Sequence, residues 1–499
     1  MIKRRIFLQE YKLFINGEWV ESGTGETFDD FNPATLELMA RLQKATVNDV
    51  QHAVESAEEA FDSWSSKPAP LRGKILFRAA QMLEERKEKL SRLMTQEMGK
   101  ILKEARGDVQ EAIDITYYAA GEGRRLLGET TPSEMPDKFC MTIRRPIGVV
   151  GLITPWNFPL AIPAWKIMPA LISGNTLVFK PASDTPLLSI ELVSILTEAG
   201  LPKGVLNLVT GEGNTVGGAI VHNKKVRAVS FTGSMETGIR ISREASNDMK
   251  RVSLELGGKN PIIVMDDADL ELAIDGVLWG AFGTTGQRCT AASRVIVHKK
   301  ILAVFQKRFI ERTKKLKLGN GLDERTDMGP LINNQQLQKV TGYVDIGIEE
   351  GAKLAFGGKT AGPLPGYFFE PTIFTDVSPD MRIAQEEIFG PVLSIISTDS
   401  LNEAIDIANS VVYGLSSSIY TDNIRNAFKA IEKLDTGITY INAPTIGAEI
   451  HLPFGGTKAT GNGTREAGTT AIEEFTEIKT VYFDYSGKLQ KAQIDVEQV

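Results

Sequence analysis

Cys289 is one of only two cysteines in this 499-residue chain and stands in the Gly/Thr-rich stretch 282-FGTTGQRCTAASR-294. A thiol attacks only as its thiolate, so a working Cys289 needs a base, a site for the oxyanion it creates and an outlet for the acyl product. Glu255, in 252-VSLELGGKNP-261, lies between Leu254 and Leu256. Burying a carboxylate among apolar neighbours raises its pKa towards the range of a general base. Asn157, in 154-TPWNFPLAIPAW-165, follows an apolar run and is flanked by prolines. That stiffened segment is a good place to fix an amide donor. The stretch 230-SFTGSMETG-238 sets Gly233, Ser234, Thr237 and Gly238 at the passage from a strand to a helix. A helix N-terminus there can meet a pyrophosphate, although the pattern is not GxGxxG. Each motif also has a plainer reading: an inert buried thiol, an edge strand with Glu255 in solvent, a rigid loop with a structural Asn157, and an ordinary turn. No histidine is near Cys289 in sequence, so a Cys–His pair has no candidate.

The elements that must position these residues read as α/β. "LFINGEWV" is a hairpin around Asn16-Gly17, the pair suited to a type I′ turn. From about Ala45 to Leu127, apolar residues recur at spacings of three and four, the helical period. Between Gly148 and Val264, short apolar runs (148–154, 176–180, 204–210, 226–232, 252–256) alternate with helical stretches such as 184–200, as a wound parallel sheet requires. A second α/β run spans about Asp267 to Asn442, with strands at 294–298, 392–398 and 437–442. Two β-prone pieces lie outside both runs, 137–146 around Cys140 and 475–485, and could pair within one chain or between chains.

Composition narrows the function. A hydrophobic content of 42% and a charged content of 24% are ordinary for a soluble globular protein. Lys and Arg number 56 against 63 Asp and Glu, a net charge of −7 with no basic block, which argues against a nucleic-acid partner. No run of 18 apolar residues suggests a membrane span, and residues 1–14 lack the apolar core of a signal peptide. Two distant cysteines form no disulfide framework, so the expected compartment is the cytoplasm. Four histidines without ligand spacing give no metal signature.

Taken together, "PWNFP", "FTGS…G", "LELGGKNP", "GQRC" and 386-EEIFGPV-392 resemble the NAD(P)-dependent aldehyde dehydrogenase superfamily in order and roughly in spacing, from "INGEW" to "LPFGG". The resemblance implies a Rossmann-like parallel-sheet cofactor domain (1–127 and 147–255), an α/β catalytic domain (256–474) and a small β oligomerisation arm (128–146 and 475–499). It implies Cys289 as nucleophile, Asn157 with the Cys289 N–H as oxyanion donors, and Glu255 as the base that activates water on a thioester. Cofactor contacts carried over are Trp156, Lys180, Ser183, Gly213, Gly233, Ser234, Leu256, Glu387 and Phe389. The acidic residue that often follows the lysine by three places in NAD-strict relatives is replaced by Ser183, which resembles members accepting NADP, although the adjacent Asp184 could interfere. Phe158, Trp165 and Phe454 match positions lining an aldehyde tunnel. Arg288 and 443-APTIGAEIHLPFGG-456 resemble dehydrogenases of 2-oxoglutarate semialdehyde (2,5-dioxopentanoate) and succinic semialdehyde. Arg288 either offers a fork to a substrate carboxylate, or points outward or pairs with a neighbouring acid. The alternative substrate is glyceraldehyde or a broad range of aldehydes. Thr460 stands where the family often has Ser. A homodimer or homotetramer is expected. A CoA-acylating relative would lack Glu255, a non-catalytic one would have lost its nucleophile or base, and a cofactor-free thiol hydrolase would leave "FTGS" and "EEIFGP" without purpose.

Overall fold

Asn16 and Gly17 take left-handed φ values of 53° and 79°, as a two-residue I′ turn requires, and join Leu13–Ile15 to Glu18–Val20. The hairpin is an edge extension of a larger sheet, because Phe14 pairs antiparallel with Leu208. These features come from a computed structural model that describes residues 9–494. Residues 1–8, within the stretch read as lacking a signal peptide, and 495–499, the end of the expected arm, lie outside the described residues.

The first sheet has seven strands in the order Arg251–Glu255, Val226–Thr232, Val149–Ile153, Thr176–Lys180, Leu206–Leu208, Leu13–Ile15 and Glu18–Val20, the first five parallel. The chain fills one side of Val149–Ile153 first, then returns to fill the other. That reversal opens a crevice at the carboxyl ends of the strands, where α/β sheets bind ligands. The expected run 204–210 is a strand only over Leu206–Leu208, and the expected helix 184–200 runs over Leu187–Glu198, starting after Pro186. Four helices, Val47–Ser65, Ala69–Glu85, Lys87–Met98 and Leu102–Glu122, occupy the expected helical region. The first is opened by a capping box, in which the Thr46 hydroxyl accepts from the Asp49 N–H and the Asp49 carboxylate accepts from the Thr46 N–H.

The second sheet runs Lys353–Phe356, Thr372–Thr375, Val392–Thr398, Ala292–His298, Asn260–Val264, Ser416–Tyr420 and Ile438–Ile441, parallel except for the first strand. Its central strands are buried on both faces, which explains their continuous Ile/Val texture. The two stray β pieces pair with each other within one chain, Thr476–Asp484 antiparallel to Lys138–Pro146, with Thr130–Pro132 on the far edge. A further three-stranded sheet, Glu10–Tyr11, Leu38–Gln43 and Thr27–Phe31, had no recognised sequence signal. No helix among the described residues is long and apolar enough to cross a membrane.

Candidate active site

The segment before Cys289 is tight because three successive residues adopt left-handed backbone: Thr284 (φ 52°), Thr285 (φ 58°) and Gly286 (φ 67°). Two threonines there are strained, so the surroundings must hold them. They do: the Thr284 N–H donates to Glu104 (2.8 Å), the Thr285 hydroxyl to the Gly329 carbonyl (3.0 Å), and the Gln287 oxygen accepts from the Ile332 N–H (3.0 Å). A Cβ at Gly286 would stand 2.3 Å from the Gly390 oxygen, so only glycine fits. Cys289 as a residue is half-buried. Burial, then the charges of Glu387 and Glu255, push its pKa up to about 12, while the Thr290 N–H works in the opposite direction.

Glu255 ends its strand with both carboxylate oxygens unpartnered and only 3% of its surface exposed. Burial, and then Glu466, hold its pKa well above the usual carboxyl range, opposed by Lys166. Glycine makes the room, since a Cβ at Gly455 would lie 2.8 Å from Glu255 Oε1. Lys166 is itself buried, bonded to Glu466 and to the Ser230 hydroxyl (2.8 Å), and that hydroxyl donates on to Glu474 (3.0 Å). Asn157 is buried and donates one amide hydrogen to the Gln287 carbonyl (3.1 Å), which aims the amide at the nucleophile segment. Thr460 acts as a clamp: its hydroxyl donates to the Gly257 carbonyl (2.9 Å) and accepts from the Gly414 N–H (3.0 Å).

A cleft of about 190 Å³ brings together Asn157, Gly233, Ser234, Leu256, Cys289 and Glu387, with Trp156 and Phe389 in edge-to-face contact at 5.4 Å. Glu387 accepts from the Gly258 N–H at 3.0 Å, and a Cβ on Gly257 would overlap its carboxylate. An adjoining cavity of about 580 Å³ contains Ser183 and Gly213, together with Arg240, His222, Glu212 and Glu244. Ser234 caps the helix Met235–Ser246 by accepting from the Thr237 N–H, leaving the first-turn N–H groups at the cleft. Lys180 is buried, donates to the Pro181 carbonyl (2.9 Å), and burial pushes its amine down to about 8. These residues fit a dinucleotide: a helix N-terminus for the pyrophosphate, a buried carboxylate for ribose hydroxyls, and a crevice at the strand ends. Asp184 is bonded to Asn333 (2.8 Å).

The remaining expected residues gather outside both cavities. Trp165 and Phe454 meet edge to face at 5.2 Å. Phe158 carries Lys100 Nζ at 3.9 Å and the Arg288 guanidinium at 5.3 Å from its ring centre. Arg288 is bonded to the Thr284 hydroxyl (2.8 Å), stands 3.6 Å from Glu104 and packs on Trp279. Pairing with a neighbouring acid, one of the two options open for it, is therefore realised. Sequence reasoning missed Lys100, Glu104, Asp108 and Glu111, which surround this pair. Their signal was available, since 104, 108 and 111 fall on one face of the helix Leu102–Glu122. Lys100 is bonded to Asp108 at 2.8 Å with both side chains fully buried. Gln336 and Lys339, which line the smaller cleft, were also missed.

A part-exposed cysteine, a buried carboxylate and an amide donor near the switch point of a parallel α/β sheet fit an oxidoreductase that works through a covalent cysteine. The aldehyde dehydrogenase family model matches residues 19–481, so the chain belongs to the aldehyde dehydrogenase family, whose enzymes use NAD(P). It is 45% identical to the alpha-ketoglutaric semialdehyde dehydrogenase of Bacillus subtilis (strain 168), over 95% of this chain and 98% of that one. It is 44% identical to the 2,5-dioxopentanoate dehydrogenase of Saccharolobus solfataricus, over 93% and 98%. Among solved structures, betaine aldehyde dehydrogenase of Staphylococcus aureus in complex with NAD+ superposes with a TM-score of 0.94 at 40% identity, over 96% of this chain and 95% of that one.

Proposed function

We propose that this enzyme oxidises a short semialdehyde, foremost 2-oxoglutarate semialdehyde, to the carboxylic acid, and that it accepts NADP as well as NAD. The observation that carries the substrate reading is Arg288, next in the chain to Cys289, whose guanidinium lies over the ring of Phe158 and stands 3.6 Å from Glu104, beyond hydrogen-bond length, so that it keeps donors for a second carboxylate. That favours an aldehyde whose far end is a carboxylate. The names of the two relatives point the same way. For NADP, the supporting features are a neutral Ser183 bonded to the Gly211 carbonyl (2.9 Å) and Arg240 in the same cavity. Its acids already have partners, Glu244 near His222 (3.4 Å) and Glu212 near Lys44 (3.4 Å).

In this reading the Cys289 sulfur adds to the aldehyde carbon as its proton leaves to solvent, so that the Glu255 carboxylate stays free for the second half of the reaction. The Asn157 amide and the Cys289 N–H stabilise the thiohemiacetal oxyanion. NAD(P)+, when bound, supplies the hydride acceptor. Glu255 then takes a proton from water, which attacks the thioester, releases the acid and restores the thiol. The division into cofactor domain, catalytic domain and arm, the self-association of the chain, and a cytoplasmic location that keeps the thiol reduced all belong to this reading.

The test is steady-state kinetics with 2-oxoglutarate semialdehyde, succinic semialdehyde, glyceraldehyde and a neutral aliphatic aldehyde, each with NAD and with NADP. The semialdehydes are expected to give the highest kcat/KM, with turnover on both cofactors. Arg288→Ala is expected to raise KM for the semialdehydes about tenfold or more while sparing the neutral aldehyde. An equal effect on both classes would leave Arg288 a scaffold residue, and a strict preference for NAD would remove the NADP reading.

A further inference from the structure

Asn260 follows Glu255 by five residues and opens the strand Asn260–Val264, flanked by Ala292–His298 on one side and Ser416–Tyr420 on the other. Its side chain is 2% exposed, and its amide is used at both ends. The two N–H groups donate to the carbonyls of Cys289 (2.8 Å) and Ala291 (2.9 Å), and the oxygen accepts from the Ser416 N–H (3.0 Å). The orientation is unambiguous, because a flipped amide would set its oxygen against two carbonyls and its NH2 against an N–H. The neighbouring backbone is cleared for this contact, since a Cβ at Gly258 would lie 2.7 Å from the Cys289 oxygen and 2.8 Å from Asn260 Oδ1. Aspartate has the same shape but, when ionised, no donors, and alanine leaves three buried backbone groups unmet.

The consequence follows from the planarity of a trans peptide. The Cys289 carbonyl and the Thr290 N–H belong to one rigid unit and point in opposite directions. Holding the carbonyl therefore fixes the plane and direction of the whole Cys289–Thr290 peptide. We propose that Asn260 is a positioning residue for the nucleophile, gripping the Cys289–Thr290 peptide and so fixing the backbone from which the sulfur is presented. Asn260 touches neither aldehyde nor cofactor in this role and acts through the backbone. It also explains why nucleophile and base motifs depend on each other: residues 255–260 hold the base, receive Glu387 through the Gly258 N–H and grip the cysteine's own carbonyl. The inference rests on Cys289 as the nucleophile and on no particular aldehyde.

The experiment uses the full-length protein and the variants Asn260→Asp and Asn260→Ala. Alkylation of Cys289 by iodoacetamide is followed across pH by peptide mass spectrometry, which separates it from Cys140, alongside kcat, cofactor affinity by fluorescence and thermal unfolding. Losing the grip is expected to slow alkylation across the pH range about tenfold, with kcat falling in parallel. Cofactor affinity is expected to stay at the wild-type value. A folded variant with an unchanged alkylation profile would overturn the proposal. So would loss of the folded state in both variants, which would assign Asn260 to the scaffold alone. Wild-type activity that survives complete alkylation of Cys289 would remove the nucleophile assignment, and the proposal with it.

Discussion

The charges around Phe158 cancel in pairs, with one carboxyl left over. Lys100 is matched by Asp108 and Arg288 by Glu104, which leaves Glu111 as a third carboxyl on the same helix face. Burial, and then Asp108, push its pKa up to about 8, against the pull of Arg288 and Lys100, and its charge is felt by both Cys289 and Tyr440. Glu111 is therefore neutral at pH 7 and gains a negative charge as the pH rises through about 8. That charge opposes a carboxylate-bearing aldehyde and leaves a neutral one untouched. The ratio of kcat/KM for succinic semialdehyde to that for a neutral aldehyde is expected to fall above about pH 8 and to stay level in Glu111→Gln. A ratio independent of pH in the wild type would remove Glu111 from the substrate path. At this scale Cys289, Glu255 and Asn157 were legible because each stands in a local setting odd enough to need explaining. Glu104, Asp108 and Glu111 offered a shared helix face that went unread, and what Glu104 holds, the Thr284 N–H, lies 180 residues away.

Turns and strand ends set the site's geometry at the element scale. The left-handed run 284–286 turns the chain so that Cys289 faces the cleft, and its sharpest constraint is Gly286. Gly286→Ala is expected to lower the melting temperature, with a conformational cost of about 1 kcal/mol before the clash with the Gly390 oxygen is added, and to depress kcat. Calorimetry and steady-state kinetics on one preparation check both. An active variant of unchanged stability would mean that the segment tolerates another path. The Asn16-Gly17 hairpin and the parallel strands were readable because turn chemistry and apolar runs are local signals. The strand Leu206–Leu208 is shorter than its apolar run, although the flanking valines still bond to the neighbouring strand, the Val205 carbonyl accepting from the Leu177 N–H (2.8 Å) and the Val209 N–H donating to the Phe179 carbonyl (2.9 Å). The sheet formed by Glu10–Tyr11, Leu38–Gln43 and Thr27–Phe31 escaped notice because its sequence is polar and interrupted.

For the whole molecule, the arm is the feature whose purpose a single chain leaves unmet. Thr476–Asp484 is anchored at its base by Asn175 on the Phe475 carbonyl (2.9 Å) and by Arg251 on the carbonyls of Glu473, Glu474 and Thr476. Beyond that base it exposes Ile478, Tyr482, Phe483, Tyr485 and Leu489. In the proposed reading a second chain covers this apolar surface. Removing residues 477–499 is expected to convert an oligomer into a monomer or an aggregating species, read by light scattering after gel filtration. An unchanged oligomeric state would give the arm another purpose. Composition and charge had already narrowed the class of protein, and the pairing of the two stray strands was open from sequence. Their register, Thr476 opposite Pro146 through Asp484 opposite Lys138, came only from the fold.

The central claim is that Cys289 carries the acyl group and Glu255 releases it. Its most direct test mixes Glu255→Gln with 2-oxoglutarate semialdehyde and NADP+ and follows NADPH formation together with the intact mass of the protein. The expected result is a single burst of reduced cofactor, stoichiometric with active sites, followed by a stalled enzyme acylated at Cys289. Sustained turnover without a trapped thioester, or a burst with Cys289 unmodified, would contradict the account.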